Sequence, residues 1–308
     1  DRLALSHLFG ALTGTGEVLS EASGPAARAL RNAGLSPLKL NGEERSALLS
    51  GMQFSTALAL AGLFEAERVL QSALVAAALS NAATAGADPL AHPRVYKLRR
   101  HPGQIEVAAA LRALLGGHWG PGEAQAQAES AMRSLPEMGA CLDLLRQAGA
   151  TLERAANAVS EERLILWQTG EIVSGIDDAA PVSFAADLIA VALREIGQQA
   201  ERRIAVLPAG ADAAGDGLVA GAAAQLSMAA SFNAENGGRP PPADGEGEPH
   251  AAPQPSAAGR ARKLLSMAGS ASLVIAIEFL AALRAGRPGE HTAAGLDKVR
   301  ALLRDRVA

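Results

Sequence analysis

The chain has 308 residues, enough for one large or two ordinary domains, and nearly half are apolar against 19% charged, too little charge to cover an isolated sphere comfortably. A formal charge of −4, with Lys and Arg scattered rather than striped, argues against nucleic acid as the main partner. The single cysteine, Cys141, excludes an intrachain disulfide framework, argues against a cysteine-based zinc site, and fits a reducing, cytoplasmic compartment.

The opening carries no secretory pattern, because Asp1 and Arg2 are charged and the apolar run Leu3 to Leu12 contains His7. Starting at Asp1 inside an apolar-periodic helix, it reads as the continuation of something longer. That helix ends at the turn Thr13-Gly14-Thr15-Gly16. Gly14 and Gly16 do not make a dinucleotide loop, since Leu19 stands at the third glycine position and no strand precedes them. A second helix is predicted from Pro25 to Asn32 with Gly34 just past its end, and Pro37 then forces an extended connector.

Asn41-Gly42-Glu43-Glu44 is a capping box, and it predicts the start of one very long helix running to about Gly86. No Asp, Glu, Lys or Arg occurs from 46 to 64 or from 70 to 87, so nearly every face needs cover. Gln53, Gln71, Asn81 and the high Ser/Thr content are poor lipid-facing choices, which favours a helical-bundle core over a membrane span. Pro102 and Gln104 suit the first and third positions of a helix running to about Leu115; His101 before it reads as a cap rather than a ligand. Residues 120–134 read as irregular, and a helix opens at Pro136 and runs to about Val159.

Within the next connector, Ile165, Ile172 and Val173 can pair as short strands, and Pro181 starts a helix to about Val206. Its Glu201-Arg202-Arg203 triplet reads as a solvated face or an interhelical salt bridge. Residues 217–234 carry no charge and form a second candidate core helix. Gly237 to Pro255 is a Pro/Gly-rich loop, and long helices follow from Arg260 to about Ala285 and from Leu296 to Val307. Arg260, Arg262 and Lys263, near the start of the first of these, read as solvated surface. The fold class is therefore all-α, a long-helix bundle over 1–308. There is no Gly-x-Ser-x-Gly elbow, no phosphate loop, no His-Glu-x-x-His and no His pair at ligand spacing, so no metal is implied.

The order of short motifs nevertheless resembles the aromatic amino acid ammonia-lyases, histidine ammonia-lyase among them. The matches run over essentially the whole chain: Gly14-Thr15-Gly16-Glu17, Gly34-Leu35-Ser36-Pro37-Leu38, Gly51-Met52-Gln53, His101-Pro102-Gly103-Gln104, Gly170-Glu171-Ile172-Val173-Ser174-Gly175, Pro181-Val182-Ser183-Phe184-Ala185-Ala186-Asp187, Glu201-Arg202-Arg203 and Glu235-Asn236. The resemblance implies the long-helix bundle of the aspartase/histidine ammonia-lyase type, a homotetramer, and elimination of ammonia from an amino acid. It also implies a methylidene-imidazolone electrophile, which the family forms from Ala-Ser-Gly. Asp1-Arg2-Leu3-Ala4-Leu5-Ser6-His7 resembles the family's stretch on the C-terminal side of that tripeptide, which would precede Asp1.

The departures fall on the chemistry. The family's Asn-Gly-Thr-Gln is here Ser50-Gly51-Met52-Gln53. In the segment where the family binds the substrate carboxylate, Gln127 and Arg133 are kept, while Ser130 replaces Tyr and Glu137 replaces Gln. Glu162-Arg163 replaces Asn-Pro, Asn-Phe-His-Gly has collapsed to Asp177-Asp178-Ala179-Ala180, and the Gln-Glu-Asp-His loop falls in the proline-rich segment. The resemblance thus implies substrate-binding roles for Gln127 and Arg133, degenerate positions at Ser50, Ser130 and Glu162, and no convincingly retained catalytic residue. Loss of one general acid or base costs about 10² to 10⁴ in rate. Two classes stay open: a carbon–nitrogen lyase or aminomutase with reduced or lost activity, and a non-catalytic structural or partner subunit of an active homologue.

Overall fold

The computed structural model describes residues 2–18, 24–83, 93–114, 135–160, 163–175, 178–207 and 256–285. An N-terminal group holds α1 (Arg2–Thr13), a two-residue antiparallel pairing of β1 (Glu17–Val18) with β2 (Gly24–Pro25), α2 (Ala26–Asn32) and α3 (Gly42–Leu49). The connector around Pro37 carries no helix or strand, and the Asn41 capping box forms: Asn41 N–H donates to Glu44 Oε2 at 2.9 Å and Glu44 N–H to Asn41 Oδ1 at 2.8 Å.

The single helix expected from Asn41 to Gly86 is two. The capping box starts only the eight-residue α3; the chain then breaks at Ser50-Gly51-Met52, and α4 runs Gln53–Ala83. Ser50 is extended (φ −88, ψ 158) and Gly51 sits at φ +84, a conformation that only glycine adopts without steric cost. Composition conceals the break because both flanking runs are uncharged.

Among the described residues, five helices then build the bundle: α4, α6 (Pro102–Leu114), α7 (Leu135–Ala156), α8 (Ala180–Val206) and α9 (Ala257–Ala285), with a short α5 (Pro93–Arg99) before α6. Only Pro93, at its first position, hints at α5 in the sequence. The α4–α9 contact is the most extensive, α8 packs on both α9 and α7, and α6 lies on α7. Small residues set these distances: a Cβ on Gly62 of α4 would stand 2.6 Å from the Leu264 Cβ of α9. At the α6–α7 crossing, Gly103 N–H donates to Asp143 Oδ1 at 2.8 Å, so α7 satisfies a first-turn donor of α6 while the His101 side chain stays exposed.

By length and mean hydropathy, residues 42–83 (1.5) and 257–283 (1.9) could each cross a membrane. In the bundle they pack on each other. Cover is not complete on every face, however, for Phe64 of α4 remains 54% exposed.

The strands expected around Ile165, Ile172 and Val173 form an antiparallel hairpin, β3 (Arg163–Leu166) with β4 (Glu171–Ser174), closed by Gly170 N–H donating to Leu166 O at 2.7 Å. The expected solvated surface at the start of α9 is corrected at Arg260, which pairs with Asp187 of α8. The uncharged run 217–234, the loop 237–255 and the helix expected from Leu296 lie outside the described residues.

Candidate functional site

One of the altered motifs, Ser50-Gly51-Met52-Gln53, forms the junction between α3 and α4. A Cβ on Gly51 would lie 2.6 Å from Ser160 Oγ and 3.2 Å from Ser160 O, so the chain leaving α7, two residues before Glu162, rests directly on Ser50-Gly51-Met52-Gln53. The polar groups of that motif are turned to local use. Ser50 Oγ donates to Ser46 O at 2.8 Å and Gln53 Nε2 to Leu48 O at 3.4 Å, both closing the end of α3. Met52 O accepts from Thr56 N at 3.0 Å, Ser55 Oγ at 3.0 Å and Thr56 Oγ1 at 2.8 Å, which fixes the start of α4. Of the altered positions, the structure describes Ser50, Met52, Glu137, Arg163, Asp178, Ala179 and Ala180; Gln127, Ser130, Arg133, Glu162 and Asp177 lie outside the described residues.

At Ser50, the contact that the resemblance implies to a methylidene-imidazolone group is not available. The residue in the position of the family's Asn is a short hydroxyl already committed to a backbone carbonyl. An Ala-Ser-Gly string does occur at 22–24, but Pro25 rather than Asp follows it, and Gly24 pairs with Val18 in the β1–β2 ladder. Among the described residues no cluster of three or more His, Cys, Asp or Glu is placed to hold a metal ion.

The second polar cluster lies between α7 and α8. Glu195, Gln199 and Arg202 recur at four- and three-residue spacing on one face of α8, and Glu137 faces them from α7. Gln199 Nε2 donates at 3.3 Å to both Glu137 Oε2 and Glu195 Oε1, and Arg202 Nη1 reaches Glu137 Oε2 at 3.4 Å. Gln199 is fully buried, and its Oε1 has no hydrogen-bond partner. Burial and the neighbouring Glu195 push the Glu137 carboxyl above the usual range, with Arg202 opposing them. One turn along, burial, then Glu195 and Glu137, push the Cys141 thiol up to about 12, so it behaves as an apolar core group rather than a nucleophile.

The third cluster is buried outright. Arg203 Nε and Nη2 donate to Glu278 Oε1 and Oε2 at 2.6 and 3.0 Å, and Ser80 Oγ donates to Glu278 Oε1 at 2.7 Å, which joins α8, α9 and α4. Both arginines of the charged triplet thus pair between helices, Arg203 fully buried with Glu278 and Arg202 half-exposed with Glu137. Sequence reasoning could not pair Arg203 with Glu278, 75 residues away. Glu278 stands out only as the first acid after a long acid-free run.

A family model described as aromatic amino acid lyase matches residues 1–305. Among solved structures, histidine ammonia-lyase from Trypanosoma cruzi superposes with a TM-score of 0.76 at 25% identity, over 91% of this chain and 57% of that one. Tyrosine aminomutase from Streptomyces globisporus gives 0.74 at 25% identity, over 91% and 60%. Phenylalanine ammonia lyase from Rhodosporidium toruloides gives 0.76 at 23% identity, over 91% and 47%, a likeness of fold. The chain therefore spans less than two thirds of the length of each of these three.

Proposed function

The chain belongs to the aromatic amino acid lyase family, and from that premise we propose that it is the helical-bundle part of an ammonia-lyase- or aminomutase-like protein whose own deaminating activity is reduced or lost. The observation that carries this reading is the fate of Ser50: where the family places an Asn against its electrophile, this hydroxyl donates to Ser46 O and ends a helix. The substitutions at Ser130, Glu137 and Glu162 point the same way, because each removes a group of the type that family chemistry uses. What is kept suits binding. Arg133 offers a planar fork for an amino-acid carboxylate, with Gln127 six residues before it.

The test is direct. Purified chain incubated with histidine, tyrosine or phenylalanine is expected to yield no unsaturated acid, and measurable turnover would overturn the loss of activity. By calorimetry, Arg133→Ala is expected to weaken amino-acid binding at least about tenfold, the loss of a charge-assisted bidentate pair; equal binding by the variant and the parent would overturn the role of Arg133.

The reading includes a cytoplasmic, self-associating protein, a homotetramer by family resemblance. Large apolar side chains left exposed on two bundle helices, Phe64 on α4 and Phe184 on α8, support it. A second reading, a partner subunit for an active homologue, is favoured by the same pairing of a kept Arg133 with an altered Ser50. In a family whose sites are assembled from several subunits, a chain can supply groups to its neighbour's site after losing its own. Co-expression with an active relative tests it: the partner reading requires a mixed oligomer.

A further inference from the structure

The β3–β4 hairpin is the least supported apolar element among the described residues. Ile165 and Ile172 are directly cross-paired and 71% and 68% exposed, and Trp167 at the turn is 84% exposed. The hairpin makes no more than passing contact with any other described element. A two-stranded hairpin alone in water is marginal, and a contiguous exposed apolar patch of this kind marks an interaction surface. In sequence, residues 161–178 hold five acids, Glu161, Glu162, Glu171, Asp177 and Asp178, against the single base Arg163, and of these Glu171 and Asp178 are described and exposed.

The same chain carries a surface of opposite character. Around α5, residues 89–105 hold Arg94, Lys97, Arg99 and Arg100 and no acid at all. On this short helix Val95 and Leu98, three residues apart, are exposed, Leu98 by 82%, with Lys97 and Arg100 exposed beside them. The two surfaces thus match in both respects, apolar centre to apolar centre and the exposed acids Glu171 and Asp178 to the exposed bases Lys97 and Arg100. Within one chain they do not pack together.

We propose that the hairpin of one copy docks on the α5 surface of a second copy, with Ile165, Ile172 and Trp167 against Val95 and Leu98, and Glu171 beside Lys97 and Arg100. Under two-fold symmetry the contact is reciprocal, each copy giving its hairpin and receiving its partner's, so it closes on itself rather than growing into a filament. The charged rim gives register and salt sensitivity; the apolar centre gives the buried area. This rests on the self-association proposed above and names the surfaces that mediate it.

Sedimentation of the full chain across a concentration series is the test. Glu171→Lys in the hairpin, or Lys97→Glu on α5 with Arg100→Glu just past its end, is expected to raise the dissociation constant about tenfold or more, and the charge-swapped combination is expected to recover most of that loss. Circular dichroism of each variant confirms that the bundle is intact. A parent that associates while the hairpin and α5 variants associate equally well, or a swap without recovery, overturns this interface and leaves the self-association reading standing. A parent that stays monomeric overturns both. A second readout follows Trp167 alone in a Trp119→Phe background. Acrylamide is expected to quench Trp167 freely in the diluted, dissociated chain and poorly in the assembled one. Protection that persists on full dilution would show that the chain's own residues cover the hairpin, and would overturn the proposal.

Discussion

Ser80, Arg203 and Glu278 come from three different helices, and each is fully enclosed. A buried pair of this kind contributes little net stability over a well-packed apolar substitute, but breaking it leaves an uncompensated charge, at a cost of about 3–5 kcal/mol. Glu278→Ala is therefore expected to destabilise the chain by that amount in urea denaturation. Combining Arg203→Met with Glu278→Leu is expected to return most of it. Full loss in the double variant as well would show that the pair itself, not the orphaned charge, holds the three helices. At Glu137 the governing variable is pH. Its carboxyl is raised in the folded chain, so the folded state binds that proton more tightly than the unfolded state, and stability falls as pH rises through and above the ordinary Glu value of about 4.3. The effect is small because Glu137 is half-exposed. Thermal unfolding across mildly acidic to neutral pH is expected to show a shallower decline for Glu137→Gln than for the parent; parallel curves would remove Glu137 as the cause.

Between elements, distance is set by glycine. At Gly62 the α4 backbone approaches Leu264 so closely that an added Cβ would sit 2.6 Å from the Leu264 Cβ, an atom fixed to the α9 backbone with no rotamer to escape by. Gly62→Ala gains about 1 kcal/mol of helix propensity but forces two long helices apart, an overpacking cost of about 1–3 kcal/mol. Net destabilisation in urea is the expected result, and a stabilised variant would mean that α4 and α9 separate easily. Local signals locate most of these elements. Pro102 and Pro181 mark helix starts, the Asn41 box marks α3, and Ile165, Ile172 and Val173 mark the hairpin, because each depends on chemistry within a few residues. Gly51 leaves no such mark: its break depends on φ and on Ser160, more than 100 residues on, neither of which a hydropathy pattern encodes. The α7–α8 cluster is equally hidden. Glu137 is visible as an altered position, but that it faces Glu195, Gln199 and Arg202 is a product of helix packing.

For the whole molecule, the bundle class is legible from the charge-free runs and from collinear motifs, and the family match bears it out over residues 1–305. The site is legible only as a set of departures, of which the structure describes those at Ser50, Met52, Glu137, Arg163 and Asp178-Ala179-Ala180. Only 33% of the apolar window within residues 42–83 and 44% of that within 257–283 is buried in the single chain. Much apolar helix surface is thus left exposed, as the proposed self-association requires. Light scattering at micromolar concentration is expected to give a mass near four chains, and a clean monomer would count against the assembly.

The Ser80–Glu278 bond also sets a clock on synthesis. Its two ends are 198 residues apart, and the largest helix interface, α4 with α9, spans the same interval. At about 5–20 residues per second, α4 leaves the ribosome roughly 10–40 s before the helix that covers it. During that time its apolar face and Ser80 have no α9 to pack against, and the long-range closure that comes after is of the slow-folding kind. This bundle therefore completes its core only once α9 has emerged, and a chain released before then would expose the surface most prone to aggregate.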